Sequence, residues 1–154
     1  MHRALLLKGY ESSLIDMTDR LLAKGSLAEF IGPTRPDVAF LAVHGTHAED
    51  GAIQGLLELL DIPYTGSSLQ SSAICMDKQL TKLILQQHGV LTPRWQFVED
   101  VGQLKLLGFK FPLMVKPNFE GSSKGITQES VVEDPAQIKD VVARALARES
   151  PAKI

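Results

Sequence analysis

The run DVAFLAV at residues 37–43 constrains this chain more than any other feature. A strand solvated on one face alternates apolar and polar residues, so unbroken apolarity predicts burial on both faces, as in a parallel sheet. Pro33 and Pro36 precede the run, and the loop HGTHAEDG (44–51) follows it. Next comes GAIQGLLELL, where Ile53, Leu56, Leu57 and Leu60 recur at i, i+3, i+4 and i+7, the pattern of an amphipathic helix. Glu49 and Asp50 stand at its start, where carboxylates favour the helix dipole. IPYTG then reads as a short strand. Residues 37–65 are thus a strand–helix–strand unit, for which a right-handed parallel crossover is the expectation. The chain belongs in the α/β class.

Around this unit the other elements are read from periodicity and punctuation. SLIDM (13–17), after Gly9, is a second strand candidate, and residues 18–30 are a helix, weakened by Gly25, or an irregular connection. Asp77 is a plausible N-cap for a helix to His88, with Leu80, Leu83, Ile84 and Gln87 on one side and Gly89 as its stop. Residues 92–98 read as a strand, with Trp95 and Phe97 in a core. FPLMVKP (111–117) reads as a buried strand, NFEGSSKG (118–125) as a turn-rich loop, and 126–132 as the returning strand of a hairpin. Asp134-Pro135 opens the last helix, whose stripe is Ile138, Val141, Val142, Ala145 and Leu146. The pattern changes near 72–78, so the expected division is 1–74 and 75–154, with Cys75 and Met76 packed between the halves.

Composition narrows the class of partner. The 154 residues carry a net charge of −2, which points to neither nucleic acid nor an anionic membrane. Residues 1–75 hold five Lys/Arg and nine Asp/Glu (−4), whereas 76–154 hold eleven and nine (+2). A basic half suits an anionic ligand such as a nucleotide, although solvated surface gives the same offset. The single Cys75 cannot form an intrachain disulfide, in keeping with a reducing compartment. MHRALLLKGY has too short an apolar run for a signal-peptide core, and no stretch approaches the ~20 apolar residues of a membrane span. The expectation is a soluble cytoplasmic protein.

Two loops could carry chemistry. In NFEGSSKG, Gly121 and Gly125 let backbone approach a ligand, Ser122 and Ser123 add hydroxyls, and Lys124 adds charge. Amides in such a loop can point at phosphate oxygens. It is no Walker A loop, since it lacks GxxxxGK[ST] and joins strand to strand. A tight turn is the plainer reading. Lys116 ends the preceding strand and Lys78 opens a helix, so two point charges could accompany the loop, or both could be ordinary exposed lysines. HGTHAEDG holds His44, His47, Glu49 and Asp50, but the spacing matches no sharp metal motif. His44 lies just past the C-terminal end of a buried strand, where open α/β sheets bind ligands; a structural loop hydrogen bond is the alternative.

Four stretches together resemble the D-alanine–D-alanine ligase family of the ATP-grasp superfamily. They are HGTHAEDGAIQGLLELLDIPYTGSS, SAICMDKQLTK, the GVLTP turn and FPLMVKPNFEGSSKGI, in the family's order and spacing over most of 37–132. The resemblance implies a Rossmann-like pre-ATP-grasp domain with a parallel sheet at 1–74, then the first α+β part of an ATP-grasp domain at 75–154. It implies that Lys78 and Lys116 contact ATP phosphates. Ser122, Ser123 and the amides around Gly121 would close over the γ-phosphate, with Glu120 in the same motif. His44 would face the first D-alanine, and Ser122 and His44 would be the catalytic pair. It further implies ATP and D-alanine as ligands, Mg2+ or Mn2+ as the metal, peptidoglycan synthesis as the role, and a homodimer.

The sequence also departs from the family pattern. MHRALLLKGY looks like the end of the helix that follows the family's first strand and glycine-rich loop, and PAKI stops before the adenine-binding strand. The lid, the transition-state arginine and the acidic metal ligands have no counterpart in these residues. The chain is therefore expected to be truncated at both ends and to lack ligase turnover on its own. A non-catalytic nucleotide-binding remnant is the alternative of another class; another ATP-grasp carboxylate–amine ligase, or a D-alanine–D-lactate ligase, is a further one.

Overall fold

The computed structural model describes residues 1–17, 32 and 34–148. Helix α1 is His2–Leu7. The expected strand at 13–17 does not form: 11–16 carry no regular structure. The possible helix at 18–30 falls outside the described residues, apart from its surroundings.

The strand–helix–strand unit is present in reduced form. Helix α2 spans Ala52–Leu59. The flanking segments meet through one parallel bridge, Ala39 to Tyr64. Ala39 N–H donates to the Pro63 carbonyl at 2.8 Å, and Thr65 N–H donates to the Ala39 carbonyl at 3.0 Å. Leu41 N–H then donates to the Thr65 hydroxyl at 3.1 Å, a side chain standing where a ladder carbonyl would be. Against this pairing α2 buries Ile53 and Leu57, which meet Ile62. Fully burying a side chain of this kind is worth about 1.5–3 kcal/mol. The stripe read from sequence is correct in phase. Leu56 and Leu60 sit on its margin, half-buried.

Tyr64 closes the unit on the outside, its hydroxyl donating to Glu58 Oε1 at 2.6 Å. That hydrogen bond, then local desolvation and the Glu58 charge, raises the phenol above its ordinary value near 10. A raised acid contributes stability that is whole below pH about 10 and is lost as pH climbs through the folded value. Glu58→Gln is expected to bring the Tyr64 titration back down, read as tyrosinate absorbance; an unmoved midpoint would mean that the bond does not form in solution.

Helix α3, Leu69–Met76, has no apolar stripe and was not expected from periodicity. Its one local signal is Ser68, whose hydroxyl accepts from Ser71 N–H. Helix α4, Lys78–Gln87, begins as expected on Asp77, which accepts from Leu80 N–H at 3.0 Å. Gly89 follows at a φ of +69°. The packed side is not the expected one, because Leu80 and Leu83 are exposed. Thr81 instead turns inward, donating to the Ile74 carbonyl at 2.7 Å and joining α4 to α3. Cys75 is exposed rather than packed between halves, and only Met76 turns in.

Beyond α4, residues 92–98 run without a ladder partner. Gln96 substitutes for one: its amide donates to the Gln103 carbonyl at 2.7 Å, and its oxygen accepts from Lys105 N–H at 2.9 Å. Strand β1 is Leu113–Met114 and strand β2 is Val131–Val132, antiparallel, with Leu113 opposite Val132. The hairpin is as expected, though much of its second arm is a 3-10 turn at Gln128–Ser130. Asp134 accepts from Ala136 N–H at 2.9 Å and starts a 3-10 turn at Pro135–Gln137, which leads into helix α5, Ile138–Arg148. Val132, Ile138, Val141 and Val142 form the buried cluster here, covered by Val98, Leu104, Leu113 and Leu146 among others. No helix among the described residues is long and apolar enough to cross a membrane.

Candidate ligand site at two loops

The hairpin and α4 are joined by one buried amide. Asn118 Nδ2 donates to Asp77 Oδ1 at 2.8 Å, and Asn118 Oδ1 accepts from Gln79 N–H at 2.9 Å. The Asn118 backbone carbonyl accepts from Lys78 N–H at 3.3 Å. This clamp sets the first turn of α4 beside the entrance to NFEGSSKG. Lys78 reaches across it, with Nζ donating to the carbonyls of Glu120 at 2.6 Å and Asn118 at 3.1 Å. In the sequence Asn118 only opens a loop, and the signal for its role is its place, a short polar side chain directly after a strand and its closing proline.

An open cavity of about 700 Å³ lies under the hairpin, lined by Lys78, Lys116, Trp95, Phe97, Met114 and Leu146 among others. Residues 93–98 form one wall that includes Trp95 and Phe97; Arg94 and Gln96 line it too and donate to the Gly108 and Gln103 carbonyls. These two aromatics were expected in a core, and they line an apolar cavity instead. The structure brings Lys78 and Lys116 to this one cavity. Lys116 is exposed.

Residues 120–124 do not line that cavity; the Gly/Ser loop meets HGTHAEDG instead. Ser122 and Ser123 both stand in the left-handed region, at φ values of +50° and +60°. Such conformations cost on the order of 1–3 kcal/mol each outside glycine, and they gather at ligand sites. The turn is closed by Lys124 N–H donating to the Gly121 carbonyl at 3.0 Å. Its short, strained course, drawn into neither helix nor strand, is the form in which backbone amides cradle an anion. A side chain at Gly125 would be strained, since φ is +72° and a Cβ there would lie 2.7 Å from Pro117 Cγ.

On the facing loop, Glu49 does not serve the α2 dipole as expected. Its Oε2 accepts from Gly45 N–H at 2.6 Å, and Oε1 lies 3.7 Å from His44 Nδ1. Asp50, one residue before the N-cap Gly51, accepts from Ala52 N–H at 3.1 Å and from His47 N–H at 2.8 Å. His44 itself is 78% exposed and open to a ligand. Glu120 Oε2 is buried with no hydrogen-bond partner, an acceptor that a donor-bearing ligand could satisfy.

A metal is a different matter. Among the described residues no three His, Cys, Asp or Glu side chains gather where one ion could be held. A divalent cation needs several oxygen ligands at once, so these residues do not form its site.

Residues 15–67 match the family model described as "D-ala D-ala ligase N-terminus". A D-alanine–D-alanine ligase of Aquifex aeolicus is 42% identical over 139 residues, 90% of this chain and 45% of the relative. One of Bordetella pertussis is 39% identical over 146 residues, 94% of this chain and 44% of the relative. Among solved structures, a D-alanine–D-alanine ligase from Bacillus anthracis complexed with ATP superposes with a TM-score of 0.62 at 40% identity, over 74% of this chain and 38% of that one. The chain spans less than half the length of these relatives.

Proposed function

We propose, from the premise that this chain belongs to the D-alanine–D-alanine ligase family, that it carries the nucleotide-contacting and first-substrate part of an ATP-dependent ligase. The observation that carries the reading is the meeting of two loops: the strained Gly/Ser turn lies against the loop that bears His44. In this reading 1–74 is the N-terminal α/β domain, built on a parallel sheet, and 75–154 begins the ATP-grasp domain. The cavity walled by Trp95 and Phe97 takes the apolar part of the nucleotide. Lys78 and Lys116 hold phosphate oxygens, and Lys78 is held in place by the Glu120 and Asn118 carbonyls.

The reaction of the whole protein is acyl transfer through phosphate. A carboxylate oxygen of one D-alanine attacks the γ-phosphorus of ATP, and the bond to ADP breaks. The amine of a second D-alanine then attacks the acyl carbon, and inorganic phosphate leaves. This chain's groups act by position and charge, which supply most of the catalysis in phosphoryl transfer. Ser122, Ser123 and the amides near Gly121 face the transferred phosphate, and His44 faces the first D-alanine. The product is the D-alanyl-D-alanine of peptidoglycan, made in the cytoplasm by a homodimer.

Lys116 gives the cleaner test, because Lys78 also has a structural role. The purified chain is expected to bind a fluorescent ATP analogue saturably. Lys116→Ala should weaken binding about tenfold, the scale of one charge-assisted contact, without moving the melting temperature. Equal binding by the variant would remove Lys116 from the site. A second reading is a nucleotide-binding module without turnover. It predicts no D-alanine-dependent phosphate release from these 154 residues alone. Release that Lys116→Ala abolishes would decide for the full reaction.

A further inference from the structure

Glu49 joins the two loops through a single carboxylate. Oε2 accepts from Gly45 N–H at 2.6 Å and from the Ser122 hydroxyl at 3.4 Å, across 73 positions of sequence. The same oxygen fills the space beside Gly121, where a Cβ would lie 2.8 Å from it. Oε1 is 3.7 Å from His44 Nδ1. The loops touch a second time where Lys124 lies over Gly45, since a Cβ on that glycine would be 2.6 Å from Nζ. One acidic side chain therefore contacts His44, Gly45, Gly121 and Ser122.

We infer that Glu49 is the positioning residue of this site, orienting the Ser122 hydroxyl and the His44 imidazole toward one shared ligand. The inference rests on the ligase reading for what that ligand is. Charge and geometry both favour the role. A carboxylate offers only acceptors, so the Ser122 hydroxyl donates to Glu49 at rest, and the long 3.4 Å contact leaves it able to turn its proton to a phosphate oxygen of the ligand. A charge-assisted bond to a backbone N–H is among the stronger neutral-donor contacts, and Gly45 thereby fixes the carboxylate before any ligand arrives. Gly121 allows the approach, because any larger residue would push the loop away.

The test compares the wild-type chain with Glu49→Ala, Glu49→Gln, Ser122→Ala and the Glu49→Ala/Ser122→Ala pair. Two readouts are taken, affinity for a fluorescent ATP analogue and amide hydrogen exchange over 121–125. Glu49→Ala and Ser122→Ala should each weaken binding about fivefold, and the double variant should be no weaker than the worse single, the mark of groups acting as one unit. Glu49→Gln keeps an acceptor oxygen of the same reach and should recover most of the affinity. Multiplying effects, or Glu49→Ala binding like wild type, overturns the inference. If the wild-type chain does not bind the nucleotide at all, the ligase reading fails on its own, and exchange decides the rest. Faster exchange in Glu49→Ala that Glu49→Gln restores upholds the positioning role, and unchanged exchange removes it.

Discussion

Replacing Asn118 by alanine is expected to cost about 2–4 kcal/mol of stability and to weaken nucleotide binding by at least about tenfold. The side chain is buried and uses both ends, donating to Asp77 Oδ1 and accepting from Gln79 N–H. Alanine leaves the Gln79 N–H without its acceptor, and an unpaired buried group costs more than the bond itself contributed. It also frees the turn whose carbonyls hold the Lys78 ammonium. The affinity loss should therefore exceed what the fall in melting temperature explains. Asn118→Asp sharpens the test, since it keeps the acceptor toward Gln79 but sets a second carboxylate against Asp77. It should be as damaging as alanine at neutral pH and partly recover in acid, where one of the pair takes up a proton. Denaturant melts with nucleotide titrations on both variants check this. An Asn118→Ala chain as stable as wild type would mean that the α4–hairpin junction does not depend on the amide.

Gly51→Ala carries the other large effect, and Gly66→Ala is its control. Both glycines have a left-handed φ, +93° and +108°. At Gly51 a Cβ would lie 2.8 Å from the Leu69 carbonyl oxygen, a backbone atom that cannot swing aside. At Gly66 it would meet nothing within 4 Å. Gly66→Ala should therefore show conformational strain alone, about 1–2 kcal/mol. Gly51→Ala should show that plus the separation of α2 from the start of α3, about 2 kcal/mol more. Gly55 packs in the same seam, a Cβ there lying 2.7 Å from Leu69 Cδ1. Equal melting temperatures for the two variants would mean that the helices are not in contact at Gly51. The seam matters for the site because α3 leads directly to Asp77 and the clamp on Asn118.

How far these features could be read in advance depends on how local their causes are. The stripe of α5 was legible, since Ile138, Val141 and Val142 follow the helical period and meet one cluster. So were Asp77, Asp134 and Gly89, because caps are decided within a few residues. Leu80 and Leu83 follow an equally good period and are nevertheless exposed. The orientation of α4 is decided by what docks on it, the Thr81 bond to Ile74 and the Asn118 clamp, and both lie outside its own pattern. Residues 92–98 had strand composition but no partner, and Gln96 supplied the hydrogen bonds a neighbouring strand would have made.

The same distinction holds for the site. Sequence alone determined which residues are chemically equipped: two lysines, a glycine–serine loop and a histidine past a strand end. It also carried the resemblance to the ligase family, because motif order and spacing are properties of the chain itself. Tertiary structure alone decided which of these groups meet. It put Lys78 and Lys116 on an apolar cavity, and it put Ser122 with His44 at Glu49, a residue that local reading had spent on a helix dipole. The physical reason is range. Propensity, capping and periodicity act over a few residues, whereas a carboxylate bridging positions 49 and 122 exists only once folding holds the two loops against each other.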